Sequence, residues 1–226
     1  MEDAAMIRTD FDCLSTFDGD GWSHNDHYHP YLLRHLPQEC GESLEIGCGT
    51  GTFARLLAEC SQHVIAFDLS SEMIRIARER SADFPNIDYR AADILEWPFP
   101  AEQFDCIASI ATLHHLPLEE MLAKMKAALR PGGVLLILDL FKAKELTDYL
   151  LSAAAFPANI TMRFLKTERL RPPEAERRAW EEHGKHDHYL SISQIRRACN
   201  EVLPGAMIKR HLFWRYSLVW QKPAAY

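Results

Sequence analysis

A run of alternate glycines and two nearby acidic side chains have the types and spacing of a ligand site. Gly47, Gly49 and Gly51 follow a short apolar run, and glycine at this density indicates that the backbone is brought close to a ligand. Glu45 lies two residues before the first glycine, and Asp68 lies 21 residues after it. The charge and the hydrogen-bonding capacity of these carboxylates indicate which ligand the glycines approach.

The spacing of the glycines opposes a dinucleotide, so a nicotinamide-dependent oxidoreductase is the weakest of the functions considered. The G-x-G-x-x-G fingerprint needs its third glycine at position 52, which is Thr52. Glu45 would repel a pyrophosphate but would stabilise a cationic amine. Asp68 has the spacing of a residue that accepts hydrogen bonds from a ribose diol, and Asp93, which closes a later apolar run, can accept an adenine amino group. Together these features predict S-adenosylmethionine as the cofactor.

Short apolar strands alternating with amphipathic helices must position these residues. We predict strands at 44–46, 63–69, 86–93, 104–110 and 134–140, with helices at 50–60, 70–81 and 117–129 and a turn at 130–133. This pattern predicts a parallel sheet covered on both faces by helices. Residues 30–36 are predicted as the end of a preceding helix, and residues 171–188 as a charged helical segment. A helix at 191–203 precedes two β-rich runs, 206–213 and 215–221, that are too close for a parallel crossover. One strand should therefore be antiparallel.

Five segments resemble the motifs of class I S-adenosylmethionine-dependent methyltransferases, in the large family often called type 11. They are LEIGCGTG (44–51), VIAFDLSSEMI (64–74), AADILEWPFPAEQFDCIAS (91–109), LHHL (113–116) and LRPGGVLLILDL (129–140). The resemblance covers about residues 43–140, with the final helix and strand pair. It implies methyl transfer by in-line displacement and a three-layer Rossmann-like sheet of seven strands, mostly parallel, with the last strand antiparallel.

The resemblance also implies the residues that contact the cofactor. They are Glu45, Gly47, Cys48, Gly49, Asp68, Leu69, Met73, Asp93, Ile94, Ile110 and His115. Ile110 departs from the family, whose members often have a small polar residue there. Gly51 is interpreted as a glycine that packs the following helix.

Histidines are the first candidates for a catalytic base, because their ordinary pKa lies near neutral pH. A base is needed only if the acceptor must lose a proton. His114 and His115 follow the fourth strand, beside the expected methyl position, and His29 lies in the N-terminal arm. No metal is expected, because the eleven histidines and six cysteines show no recognised ligand spacing.

The chain is interpreted as a single methyltransferase domain, 1–226, with four parts. Residues 1–40 form an arm or lid in which Trp22 and Tyr28 would cover the substrate, and residues 41–141 form the cofactor-binding core. Residues 142–188 form an inserted substrate cap, and residues 189–226 form the final helix and β-hairpin. The cap carries Phe156, Met162, Phe164 and Trp180, which would either line an apolar acceptor pocket or pack the cap onto the sheet.

The charge distribution bears on the acceptor. Residues 1–140 contain 10 Lys and Arg against 23 Asp and Glu, a net charge of −13, whereas residues 141–226 carry a net charge of +6. The acidic first part would repel a polyanion, so a small-molecule acceptor is favoured. Alternatives remain. The chain could methylate a transfer RNA at a wobble uridine or methylate a protein, or it could bind S-adenosylmethionine without catalysing a reaction.

The chain shows no targeting signal. Its start has no apolar segment of a signal peptide, and its longest apolar run is too short to span a bilayer. The six scattered cysteines are typical of free thiols in a reducing compartment. We therefore expect a cytoplasmic protein with no membrane partner, and the oligomeric state is left open.

Overall fold

A computed structural model describes residues 4–17, 23–184 and 187–224. Seven strands form one sheet in this part of the chain: β1 (Cys40–Ile46), β2 (Ser61–Asp68), β3 (Ile87–Ala91), β4 (Phe104–Ile110), β5 (Leu129–Leu140), β6 (Met207–Arg210) and β7 (Arg215–Gln221). Their order is β3-β2-β1-β4-β5-β7-β6. Neighbours among β1 to β5 are parallel, and β7 is antiparallel to both β5 and β6. The predicted fold is confirmed.

Eight α-helices accompany the sheet in the described ranges: α1 (Ala4–Leu14), α2 (His29–Leu33), α3 (Thr52–Ala58), α4 (Ser71–Arg80), α5 (Leu118–Ala128), α6 (Leu146–Thr167), α7 (Glu174–His183) and α8 (Ile192–Val202). Alternate side chains of β4 enter opposite cores. Ile107 packs with residues of α5 and α8, whereas Cys106 and Ala108 pack with residues of α2, α3 and α6. This alternation produces the three layers.

Two local features show how α4 and β5 begin. Ser70 caps α4, because its hydroxyl oxygen accepts the backbone N–H of Met73 at 3.0 Å. The turn predicted at 130–133 is instead part of β5. The register with β4 jumps from Phe104 opposite Leu129 to Cys106 opposite Val134, which makes the segment a bulge. Hydrogen bonds between residues 132–133 and Lys222 extend the ladder across this segment.

Two helices are missing from the sequence prediction. α1 lies in the arm, and α6 runs for 22 residues in the cap with Pro157 inside it. α6 begins with a capping box in which Glu145 and Asp148 each accept the other's backbone N–H. An internal proline usually ends a helix, so this segment showed no helical signal. Within the described ranges, no helix is both long and apolar enough to cross a membrane.

Candidate functional site

The predicted cofactor residues meet at the carboxyl edge of the parallel strands. β1 ends at Ile46, and the chain then turns back toward β2, where the N–H groups of Gly47 and Cys48 both donate to the carbonyl of Phe67, at 2.8 and 2.9 Å. Gly49 N–H donates to Asp68 Oδ2 at 2.8 Å. The glycine turn is therefore fixed to the end of β2, which brings two of the predicted carboxylates to one place.

The three glycines of the turn have different surroundings, although all three have positive φ angles. A Cβ on Gly47 would lie 2.0 Å from Thr112 Oγ1, and one on Gly51 would lie 2.2 Å from the Tyr89 hydroxyl. A Cβ on Gly49 would have no neighbour among the described residues within 4 Å. Gly47 and Gly51 are thus needed for packing, and the turn faces open space at Gly49.

Glu45 is a buried carboxylate with an unused oxygen. The residue is 1% exposed, and Oε2 has no hydrogen-bond partner among the described residues. Burial, with a further effect of the Asp68 charge, raises the pKa of Glu45 well above its usual range. A buried carboxylate oxygen without a hydrogen-bond partner favours binding of a ligand that brings a positive charge or an N–H donor.

Asp68 lies at the end of β2 and connects the glycine turn with α4. In addition to Gly49 N–H it accepts Ser70 N–H at 2.9 Å. Burial raises the pKa of Asp68 to about 6 despite these hydrogen bonds. Asp93 lies two residues beyond β3, is half-buried, and accepts Leu95 N–H at 2.9 Å.

The remaining predicted cofactor positions are largely apolar. Met73 and Ile94 are 7% and 6% exposed, Cys48 is buried, and Leu69 and Ile110 are half-buried. Burial, with a further effect of Asp68 and Glu45, raises the pKa of the Cys48 thiol well above its usual range, so this thiol is not a nucleophile. These side chains can provide apolar contacts to an adenosine.

His114 forms a buried pair with Asp139 near the end of β5. His114 Nδ1 donates to Asp139 Oδ1 at 2.6 Å, and the two side chains are 6% and 2% exposed. Burial alone would lower the pKa of His114, but the charge and hydrogen bond of Asp139, together with the charge of Asp187, raise it. Since Nδ1 is held by the carboxylate, Nε2 is the ring nitrogen that can exchange a proton with a ligand.

Asp187 lies close to His114, His115 and His183. One of its oxygens, Oδ1, is 3.8 Å from His115 Nδ1 and 3.7 Å from His183 Nε2, and the other accepts the hydroxyl of Tyr189. We call His114, His115, Asp139, His183 and Asp187 the histidine–aspartate cluster.

α1 covers this cluster. Phe11 of α1 packs edge-on against the rings of His115 and His183, with centroids 5.8 and 4.9 Å apart. His183 Nδ1 also donates to Asp10 Oδ2 at 3.2 Å. α7 carries His183, so the arm and the cap meet above the cluster, and water is restricted there.

A cavity of about 240 Å³ opens beside the cluster. Its lining includes His114, His115, Asp139, Leu140, Ile195 and Tyr216. A larger cavity of about 370 Å³, lined in part by Gly132 and Gln221, lies at the opposite edge of the sheet. Only the smaller of the two is next to the predicted catalytic histidines.

His114, His115 and Asp187 could also hold a metal ion, because one ligand atom from each lies within 4.8 Å of the others. A metal ligand must be an unprotonated imidazole. His114 Nδ1 is held by Asp139, so Nε2 is the atom that would either accept a proton or bind an ion.

Two of the predicted arm residues, His29 and Tyr28, do not line the cavity. His29 is buried against Phe53, with ring centroids 4.9 Å apart, and burial lowers its pKa. The Tyr28 hydroxyl donates to the carbonyl of Leu212 at 2.8 Å, which anchors the arm to the loop before β7. Trp22 lies outside the described residues.

The cap side chains are placed differently from either expectation. Phe156, Phe164 and Trp180 are 65%, 50% and 52% exposed, so they neither line the cavity nor pack onto the sheet. Met162 is partly buried against the core. Both interpretations of the three exposed aromatic residues were therefore wrong.

Several residues of the site were missed in the sequence. Asp139 interrupts the apolar run of β5 near its carboxyl end, and a charge in a buried strand was an available signal. Asp187 and Tyr189 lie in the histidine-rich segment after α7, but nothing in their spacing indicates His114 or His115 as neighbours. Phe11 had no detectable signal.

Comparisons with known proteins find methyltransferases as relatives of this chain. A family model described as a methyltransferase domain matches residues 44–133. An uncharacterized methyltransferase of Mycobacterium tuberculosis is 28% identical over 205 residues, which cover 89% of this chain and 98% of the relative. The ubiquinone/menaquinone biosynthesis C-methyltransferase of Teredinibacter turnerae is 37% identical over 110 residues, 45% of this chain and 44% of the relative.

Among solved structures, this chain is similar to the N-methyltransferase NodS from Bradyrhizobium japonicum, determined in complex with S-adenosyl-L-homocysteine. The TM-score is 0.61 at 21% identity, with 91% of this chain and 93% of that chain covered. This likeness concerns the fold. One of these relatives is named a C-methyltransferase and one an N-methyltransferase, so they share no acceptor atom.

Proposed function

The chain belongs to the class I S-adenosylmethionine-dependent methyltransferases, and we propose that it methylates a small molecule bound in the cavity beside His114. The observation that carries this proposal is the cavity itself. Its volume of about 240 Å³ is below the roughly 300–1,000 Å³ of drug-sized ligand sites. Together with the cover formed by α1 and α7, this volume suits a small acceptor, and the net charge of −13 in residues 1–140 disfavours an RNA.

The residues at the carboxyl edge fit S-adenosylmethionine. The unused oxygen of Glu45 would accept the ammonium group, and the open face at Gly49 would admit the aminoacyl end. Asp68 would accept the ribose hydroxyls and Asp93 the adenine amino group. Leu69, Met73, Ile94 and Ile110 would contact the adenosine, Gly47 and Cys48 would present their backbone, and His115 would lie near the sulfur. These roles are inferred from position and chemistry.

The chain's own contribution to the reaction is alignment and exclusion of water. When bound, the cofactor supplies a methyl group on a sulfonium, which is already an activated leaving group. The cavity would hold the acceptor in line, and Phe11 with the meeting of α1 and α7 would keep solvent out. We propose residues 1–40 as the lid and residues 142–188 as the cap.

We assign the base to His114 for an acceptor that must lose a proton. Asp139 fixes the ring through Nδ1, so the acceptor's proton would pass to Nε2. His115, on the same cavity wall, would contact the acceptor and the cofactor. His29 is a weaker candidate, because it packs against Phe53 and does not line the cavity.

The location of the protein is part of the proposal. All six cysteines are free thiols, which is typical of proteins in a reducing compartment. We therefore place the enzyme in the cytoplasm.

A direct test is an assay of S-adenosylhomocysteine release against a panel of amines, phenols, carboxylic acids and carbon acids, with total transfer RNA and protein lysate as parallel acceptors. We expect turnover with at least one small-molecule class and none with the macromolecules. Turnover with transfer RNA or protein alone would contradict the proposed acceptor class, and its loss in His114→Gln would still locate the chemistry in this cavity.

A further inference from the structure

The solvent face of α6 is apolar along its whole length. Large side chains on it are 38–75% exposed, and we call them the α6 face: Leu146, Tyr149, Leu150, Phe156, Ile160, Phe164 and Leu165. Every exposed residue between Leu146 and Leu165 is uncharged. The face spans five turns, about 30 Å at a rise of about 1.5 Å per residue. A continuous apolar surface of this size indicates an interaction site.

The opposite side of α6 contacts the protein through apolar and polar side chains: Ala155 is 1% exposed, and Ala158 and Met162 pack against the same core. Asp148 is 1% exposed, accepts the N–H groups of Lys144 and Glu145, and lies 3.2 Å from Arg210 Nε. Asn159 bonds to His24 at 2.8 Å. These specific contacts fix the rotation of α6, so the outward position of the α6 face follows from the fold.

Both ends of the α6 face are positively charged. Lys142 and Lys144 precede the helix, and Lys166, Arg169 and Arg171 end or follow it; all five are exposed, and the exposed Glu168 is the one acid among the second group. None of the five forms an ion pair with another residue of the described ranges. Glu145, at the first end, is paired with Arg210 at 2.5 Å.

The charges argue against a second copy of this chain as the partner. A twofold axis perpendicular to α6 would pair the helices antiparallel and bring the lysines of one end onto the cations of the other. An axis along α6 would bring each basic end onto itself. Either arrangement places like charges together.

An anionic lipid surface is complementary both to the apolar side chains of the α6 face and to the basic residues at its two ends. Apolar side chains of an interfacial helix enter the boundary between head groups and acyl chains, and flanking Lys and Arg contact the lipid phosphates. The whole chain is also polarised, with −13 in residues 1–140 and +6 in residues 141–226, which would orient the second part toward such a surface. We propose that the α6 face docks the enzyme on an anionic membrane surface.

Surface docking requires no membrane-spanning helix, so the lack of an apolar run long enough to span a bilayer does not oppose it. The proposal is independent of the acceptor and of the methyl-transfer chemistry.

The test is flotation of the full chain with vesicles of phosphatidylcholine alone or mixed with phosphatidylglycerol, at low and high salt. We expect binding to the anionic vesicles, weakened by salt. The double variant Leu150→Glu/Phe164→Glu should reduce the bound fraction about tenfold or more, and Lys166→Gln/Arg169→Gln/Arg171→Gln should weaken binding to anionic vesicles only.

Met207→Glu is the matched control, because Met207 is 57% exposed but lies on β6. It should bind vesicles like the wild type. Unchanged thermal melting and S-adenosylhomocysteine binding in every variant would show that the fold is intact. Failure of the wild type to bind anionic vesicles, equal binding to both vesicle types, or a dimer in light scattering that Leu150→Glu/Phe164→Glu dissociates would each overturn the proposal.

Discussion

His114 Nδ1 donates to Asp139 Oδ1 at 2.6 Å, and neither side chain is more than 6% exposed. The carboxylate raises the pKa of the imidazole although burial opposes this. His114 can accept a proton only when it is neutral, so its activity as a base should increase as the pH rises through this raised pKa.

Asp139→Asn should shift the pH dependence of kcat. Without the carboxylate charge the pKa of His114 falls, so the ascending limb of the kcat profile should shift to lower pH. The plateau should fall about tenfold or more, because the weaker base is also less well oriented. The measurement is kcat against pH for wild type and variant, with S-adenosylhomocysteine affinity measured in parallel.

His63→Gln is the matched control for this pair. His63 Nδ1 also donates to a carboxylate, Glu42 Oε2 at 3.0 Å, but this pair is partly exposed. The control should keep the wild-type profile. An Asp139→Asn profile that coincides with the wild type would remove His114 from the base role.

Two glycine substitutions should separate folding from cofactor binding. Gly47→Ala places a Cβ 2.0 Å from Thr112 Oγ1, so it should destabilise the protein on the order of 2–4 kcal/mol. Gly49→Ala meets no described atom within 4 Å and should cost only about 1–2 kcal/mol of backbone strain. When equal concentrations of folded protein are compared, Gly49→Ala should weaken cofactor binding more than Gly47→Ala does. Gly49→Val should abolish cofactor binding. Urea unfolding and calorimetry measure the two effects, and a wild-type affinity in Gly49→Val would refute the predicted approach of the ligand.

Asp68 should make the stability of the free protein depend on pH. Its pKa is raised from 3.8 to about 6 in the folded state, so the folded state binds its proton more tightly than the unfolded state does. The stabilisation is complete below about pH 3.8 and is lost as the pH rises through about 6. Asp68→Asn should therefore lose less stability than the wild type between pH 4 and pH 7. Urea unfolding across this range measures the difference, and parallel curves for the two proteins would contradict the assignment.

Chelation should leave the activity unchanged. The proposed chemistry uses no metal, although His114, His115 and Asp187 lie close enough to hold an ion. Protein dialysed against EDTA should keep its kcat. A loss of activity that zinc or another divalent ion restores would show that the cluster binds a metal.

The pattern of short strands and helices made most of residues 40–141 predictable. β4 at Phe104–Ile110 and β7 at Arg215–Gln221 have the predicted bounds, because each is a short apolar run that ends where turn or polar residues begin. The carboxyl edge of a parallel sheet then gathers Glu45, Asp68 and the glycine turn without further information.

The contacts between distant segments could not be predicted in the same way. Asp139 and His114 come from neighbouring elements, but Asp187 and Phe11 reach the cluster from the cap and the arm, where hydrophobic periodicity is weak. α6 was missed for a different reason. Pro157 lies inside it, and apolar side chains occupy both its solvent side and its buried side, so no single apolar stripe marks the helix.

Calorimetric titration of S-adenosylhomocysteine into the wild type and Asp68→Ala tests the central claim most directly. The account predicts one binding site per wild-type chain and an affinity at least tenfold weaker in the variant, which loses a charge-assisted hydrogen bond to the ribose. NAD should give no heat with either protein. No binding of S-adenosylhomocysteine to the wild type, or equal binding by the two proteins, would contradict the proposed cofactor site.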